Sequence, residues 1–251
     1  MKRRQSGIGV IVLIIVVALA IYLFNRSQVN QVVGVGPTAT AGLQSSLDAN
    51  AGKPQPVDDY FQGCPPSGDG GDPVLNTLKN RMDTATWVPM PFSQLEQLPW
   101  PKAIERKDMS TWSKADYDMV GLNNGRPVSI TGYLANAKRE GPESPNCHSQ
   151  TDRDFHIWLV DHPTTDRTNS IVVESTPRVR ANHPGWTIDR INTIVKRQIP
   201  VRISGWTMLD PEHPDQVGQT RGTIWEIHPI MQIEVQLNGS TNWIPLDSAN
   251  L

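Results

Sequence analysis

Apolar positions along the chain follow three different rules in turn. From Ile8 to Phe24 they form an unbroken run with no charged residue inside it, preceded by Lys2, Arg3 and Arg4. At ~1.5 Å of rise per residue the run spans roughly 25 Å, adequate for a bilayer core of about 30 Å with snorkelling ends. It has no polar face, which argues against a helix buried in a soluble domain. The pattern predicts a transmembrane helix with its basic end cytoplasmic and the rest of the chain extracytoplasmic. A cleaved signal peptide is the competing reading. Ala18 and Ala20 offer a small-x-small site, but Ile21 to Phe24 carries the apolar run past it.

The second rule is the absence of any period. Residues 26–59 are rich in Gly, Ser, Thr, Ala, Gln and Asn and read as a flexible linker. From Tyr60 short apolar groups appear between turn residues such as Gly63, Pro65, Pro66 and Gly68 to Gly71. Asp72 followed by Pro73 predicts an N-cap and first helical residue, opening a short helix through Val74, Leu75 and Leu78 to Arg81. Ser113 predicts the cap of a second short helix through Tyr117 and Met119. The prolines between Trp87 and Pro101 predict an extended, wrapping segment. Too few apolar residues occur over 60–125 for a separate core, so this stretch is expected to be an extension laid on the domain that follows.

The third rule is alternation. It governs Val128–Leu134, Phe155–Val160, Ser170–Ser175, Val201–Trp206 and Thr223–Val235. Between His183 and Gln198 the period becomes helical, with Ile188, Ile191 and Val195 on one face. The order β-β-β-α-β-β is that of the OB barrel, a five-stranded, partly open Greek key. Gly132 and Gly205 sit inside two of these strands, in the similar segments Pro127–Tyr133 and Pro200–Trp206. Glycine there marks a bulge or sharp bend, which a small barrel needs where a strand crosses between its two sheets. The expected fold class is therefore mainly β. It comprises a basic end and membrane anchor (1–25), a linker (26–59), an irregular and helical extension (60–125), an OB-like barrel (126–237) and a C-terminal tail (238–251).

Composition and charge narrow the partners. The formal net charge is -2, and residues 128–236 hold eleven Lys and Arg against thirteen Asp and Glu. Nucleic acid is not favoured, because phosphate-backbone binding needs a net basic track. The bilayer is the expected partner of residues 8–24, with a protein, glycan or small ligand open as partners of the barrel. Two cysteines, Cys64 and Cys147, exclude both a disulfide scaffold and a four-cysteine zinc site. Outside the cytoplasm they can form one disulfide pinning extension to barrel, or remain two separate thiols.

Alternation also sorts the chemistry. Phe155, Ile157 and Leu159 are expected inside the barrel, and Asp154, His156 and Trp158 outside. Glu174 can face His156 across an antiparallel pair, while Glu226 and His228 share a face of the last strand. Asp210, Glu212 and His213 follow the fourth. Candidate ligand-binding residues are thus His156, Trp158, Glu174, Glu226 and His228. Imidazole with carboxylate suits a divalent metal ion or acid–base chemistry. The same residues also suit a cross-strand ion pair and a hydrogen-bonded structural histidine. Trp158, Trp206, Trp225 and Tyr133 can stack a ligand or fill the core. No cofactor motif is present: Gly68 to Gly71 lacks the preceding strand and following lysine of a phosphate loop.

Asp154–Leu159, Thr176–Arg180, His183–Trp186 and Trp225–Pro229 resemble segments of a family of uncharacterised bacterial exported or membrane-anchored proteins. The resemblance covers roughly residues 60–236, and Trp225–Pro229 is its most distinctive part. It implies an envelope protein with an OB-like domain and brings no activity with it. Three functions stay open: a tethered binding or interaction module, a metal-dependent hydrolase using the His/Glu group, and a structural envelope component. An exposed Trp158 or His156 on a concave outer face would favour the first.

Overall fold

The computed structural model describes residues 60–101, 112–237 and 239–251. Helix α1 (Pro73–Lys79) starts where expected, the Asp72 carboxylate accepting from the amides of Val74 and Leu75 at 2.8 and 3.1 Å. Strand β1 (Val88–Pro89) runs parallel to the barrel edge. The segment expected to be wholly extended then turns into a short helix, α2 (Phe92–Glu96). A single turn there buries Leu95 completely, a gain of about 1.5–3 kcal/mol that outweighs the extended preference around Pro91. Helix α3 (Lys114–Gly121) opens on a reciprocal capping box between Ser113 and Asp116.

Five strands build the barrel: β2 (Pro127–Arg139), β3 (Phe155–Val160), β4 (Ile171–Ser175), β5 (Val201–Leu209) and β6 (Trp225–Val235). The pairing order β2-β3-β4-β6-β5 closes through a further β2–β5 pairing, and only β4 and β6 run parallel within the ring. Short α4 (Pro177–Arg180) and the longer α5 (Ile188–Arg197) lie between β4 and β5 in sequence. This is the OB strand order and connectivity.

Closure depends on the two expected glycines. β2 pairs with β5 up to Gly132 and with β3 from Tyr133 onward. At the changeover a Cβ on Gly132 would stand 2.3 Å from the Val160 carbonyl oxygen. On β5, a Cβ on Gly205 would stand 2.3 Å from the Pro229 carbonyl oxygen, where the β5–β6 register shifts. No side chain fits at either position.

The interior is filled as alternation requires, by Ile130, Phe155, Ile157, Leu159, Ile171, Val173, Ile203, Trp225 and Ile227. Helix α5 closes one end with Ile191 and Ile194, both 0% exposed. The extension adds Met90, Leu95, Trp112 and Val120 to the same cluster. At the C-terminal end, β7 (Ile244–Pro245) pairs with β6. Arg190 then donates to the carbonyls of Leu246 and Ala249, both at 2.7 Å.

One element of the expected fold class is corrected. Among the described residues no helix is long and apolar enough to cross a membrane. The longest is α5, ten residues, or about 15 Å against a bilayer core of roughly 30 Å. The span expected over residues 8–24 lies outside the described residues, as does the linker to residue 59. The single-pass membrane description and its bilayer partner are withdrawn with it.

Candidate functional site

Every side chain of β3 and β4 is buried, so both faces of this part of the sheet are covered. The inner face is apolar core. The outer face is ionic at His156 and Glu174 and apolar beside them, where Trp158, Val160 and Val172 cluster with Ala135. His156 lies directly opposite Glu174 in the antiparallel register of β3 and β4, and the parallel β4–β6 pair brings Glu226 and His228 beside Glu174. His156 Nδ1 is 2.6 Å from Glu174 Oε1 and 2.9 Å from Glu140 Oε1 at the end of β2. The cross-strand ion pair therefore exists, and it satisfies one nitrogen of His156.

His228 is different. It is 1% exposed, and neither ring nitrogen has a hydrogen-bond partner. Its Nε2 stands 3.5 Å from Asp154 Oδ2; its Nδ1 stands 3.5 Å from Glu226 Oε2 and 3.6 Å from Glu174 Oε2. At these distances the three carboxylates are ion-pair partners of His228, set slightly beyond the length of a normal hydrogen bond. Each surrounding carboxylate is held by its other oxygen. Asn146 Nδ2 donates to Asp154 Oδ1 at 2.9 Å, His156 holds Glu174 Oε1, and Arg221 Nη1 holds Glu226 Oε1 at 2.9 Å. Three fixed carboxylates thus aim a second oxygen at one imidazole.

Charge balance explains how the group stays buried. Burial disfavours charge on His156, but Glu174 and Glu140 overcome it and raise its pKa to about 9. Burial likewise opposes charge on His228, and Asp154, Glu226 and Glu174 raise it to about 10. Against its own burial, Glu174 is held far below the usual carboxylate range by His156, His228 and Lys79. Glu226 is pushed upward by burial and by Asp210, with Arg221 opposing. On Glu143, burial and then repulsion from Glu174 and Asp154 outweigh the opposing charge of Lys79 and lift it to about 8.

A strap of the extension closes the site from outside. Cys64 and Cys147 are joined in a disulfide across 83 residues, which contributes about 4 kcal/mol in the chain-entropy description. Asn80 Nδ2 donates to the carbonyls of Pro66 and Pro145 at 3.0 and 2.7 Å, and Arg178 Nη2 donates to that of Cys64 at 2.5 Å. On this strap Lys79 reaches the field of Asp210, Glu174, Glu212 and Glu226, with Glu212 at 3.6 Å. Behind the site Arg221, 1% exposed, also holds Asp210 at 2.8 Å, which in turn holds His213 at 2.7 Å.

Of the five candidates, His156, Glu174, Glu226 and His228 come together. Trp158 lies to one side, its ring 4.3 Å from that of His156 and 4.6 Å from the Arg167 guanidinium. It is 5% exposed, so it offers no open stacking surface. Trp225 is core, its Nε1 donating to the Pro99 carbonyl at 3.2 Å. Trp206 is covered by the Arg81 guanidinium at 3.5 Å, and Tyr133 packs beside Trp158. Sequence reasoning missed Glu140, Asn146, Arg221 and Lys79. Only Lys79 carried a signal: it follows the buried Leu75 by four residues, on the same face of α1.

No protein-family model matches this chain, and no curated protein matches it. A solved structure of yeast Stn1 and Ten1 is similar to it at 10% identity and a TM-score of 0.34, over 61% of this chain and 65% of that one. The barrel is assigned from its own strand order and connectivity.

Proposed function

We propose that this chain is a binding module in which an OB barrel carries an enclosed ionic site for a ligand the size of an ion. The observation that supports it most is His228, buried with no hydrogen bond at either ring nitrogen and facing three fixed carboxylate oxygens at ion-pair distances of 3.5–3.6 Å. A fold needs no such residue for packing, and ion pairs of this length leave the buried ring without the hydrogen bonds that would offset its desolvation. A glycan, peptide or nucleic acid strand would have to displace residues 60–82 to touch it. A hydrolase would face the same barrier, since His156, Glu174, Glu226 and His228 are all 8% exposed or less. Binding is therefore favoured over turnover. The Cys64–Cys147 disulfide supports a place outside the reducing cytoplasm.

The test is a thermal-unfolding screen of the full chain against divalent cations and small anions, beside Glu174→Gln. A ligand at a hundred times its Kd stabilises by about 2.7 kcal/mol, a rise of roughly 5–10 °C for a chain of this size. At least one small ion is expected to raise the midpoint of the native chain saturably and not that of the variant. Equal responses of both proteins to every ion would end the proposal.

A further inference from the structure

We infer that Asp154, Glu174 and His228 are the protein ligands of a divalent first-row metal ion, of the Mn²⁺ to Zn²⁺ class. This rests on the reading of the site given above and names its ligand. One donor atom from each of the three residues lies within 4.8 Å of the other two. Bonds of about 2.0–2.2 Å place two ligands of one ion roughly 3–3.6 Å apart. The 3.5 Å between His228 Nε2 and Asp154 Oδ2 has that spacing, and both atoms lack a hydrogen-bond partner.

The surrounding residues are arranged as orienting groups of a metal centre are. A ligating imidazole keeps its other nitrogen on a carboxylate, and ligating carboxylates are themselves hydrogen-bonded. Here His228 Nδ1 faces Glu226 Oε2 at 3.5 Å and Glu174 Oε2 at 3.6 Å, and Arg221 fixes Glu226 through its other oxygen, so an ion held with Asp154 at Nε2 takes Glu174 within the 4.8 Å spread of the three donors. Asn146 fixes Asp154, and His156 fixes Glu174. Two carboxylates with one imidazole suit manganese or zinc better than calcium, which takes six to eight oxygen ligands. An anion is disfavoured by the same donors, all of which are acceptors in the deprotonated site. Binding replaces the His228 proton, and the strap residue Lys79 lies close enough to oppose the incoming charge, so occupancy depends on where that side chain sits.

Equilibrium dialysis of chelator-stripped full chain against Mn²⁺ and Zn²⁺ tests this, with Asp154→Asn, His228→Asn and, as a control at the separate Arg202 pair, Glu234→Gln. About one equivalent is expected to bind to the native chain and to Glu234→Gln, and affinity is expected to fall by about 100-fold or more in the other two. The Mn²⁺-loaded native chain is also expected to show electron-spin-echo coupling to one imidazole nitrogen, a readout that needs no variant to fold. No binding at 1 mM, binding indifferent to Asp154 and His228, or a spectrum without nitrogen coupling each overturns the assignment. If sulfate or phosphate rather than a cation stabilises the chain through Glu174, the assignment fails while the ion-binding module stands.

Discussion

Replacing Arg221 by methionine is expected to cost about 3–5 kcal/mol of stability, the largest effect of any single substitution at the ionic face. Methionine keeps much of the volume, so the loss is electrostatic. Arg221 is 1% exposed and bridges Asp210 at 2.8 Å and Glu226 at 2.9 Å. Breaking a buried pair from one side strands charge in a low-dielectric interior, whereas a surface pair of the same geometry is worth about 0–1 kcal/mol. Asp210 keeps His213 after the substitution, but Glu226 keeps only His228 at 3.5 Å. The double variant Arg221→Met, Glu226→Gln is therefore expected to recover a substantial part of the loss. Urea unfolding measures both. A deficit below about 1 kcal/mol would mean that the bridge is not buried in solution.

The second large effect is on pH. In the metal-free chain, His156 and His228 stay protonated to about 9 and about 10, while an unfolded histidine loses its proton near 6.5. Their stabilising contribution is complete below about 6.5 and is lost as pH rises through the folded values. Each contributes a slope of about 1.4 kcal/mol per pH unit across that window. Glu143, raised to about 8, acts in the same direction between the usual glutamate value and 8. Glu174 and Asp210, held low by their cationic neighbours, act oppositely: their contribution is present above about 4 and is lost below it. The charged groups around the histidines are Glu140, Asp154, Glu174, Glu226, Arg221 and Lys79. The thermal midpoint with chelator present is expected to peak near pH 5–6 and fall steeply between pH 7 and 9. A flat profile over pH 6–9 would show that the imidazoles are neutral in the folded chain.

The barrel and half of its ionic face could be read from the residues alone, for reasons of range. Alternation is a property of five or six consecutive residues, so Phe155, Ile157 and Leu159 sort from His156 and Trp158 without any partner. The His156–Glu174 pair follows from an antiparallel neighbour one loop away. Glycine at 132 and 205 signals the corner, because crowding by the carbonyls of Val160 and Pro229 leaves room for nothing else. The parallel β4–β6 contact is another matter. It joins segments fifty residues apart, and no local period announces that Glu226 lands beside Glu174. Arg221 lies in a loop and Asn146 in a single 3-10 turn (Ser144–Asn146), where position follows from turns rather than periodicity. The closed character of the face was also illegible. Trp158 looks like a stacking platform in sequence, and only the folded barrel shows that Arg167, Lys138 and His156 already surround it.

Anomalous diffraction from crystals of the full chain grown with Mn²⁺ tests the ionic site most directly. One peak is predicted within about 2.0–2.3 Å of a carboxylate oxygen of Asp154, a carboxylate oxygen of Glu174 and a ring nitrogen of His228. Electron density in which His228 donates from both nitrogens to its carboxylates, with manganese absent or bound elsewhere, would contradict the account.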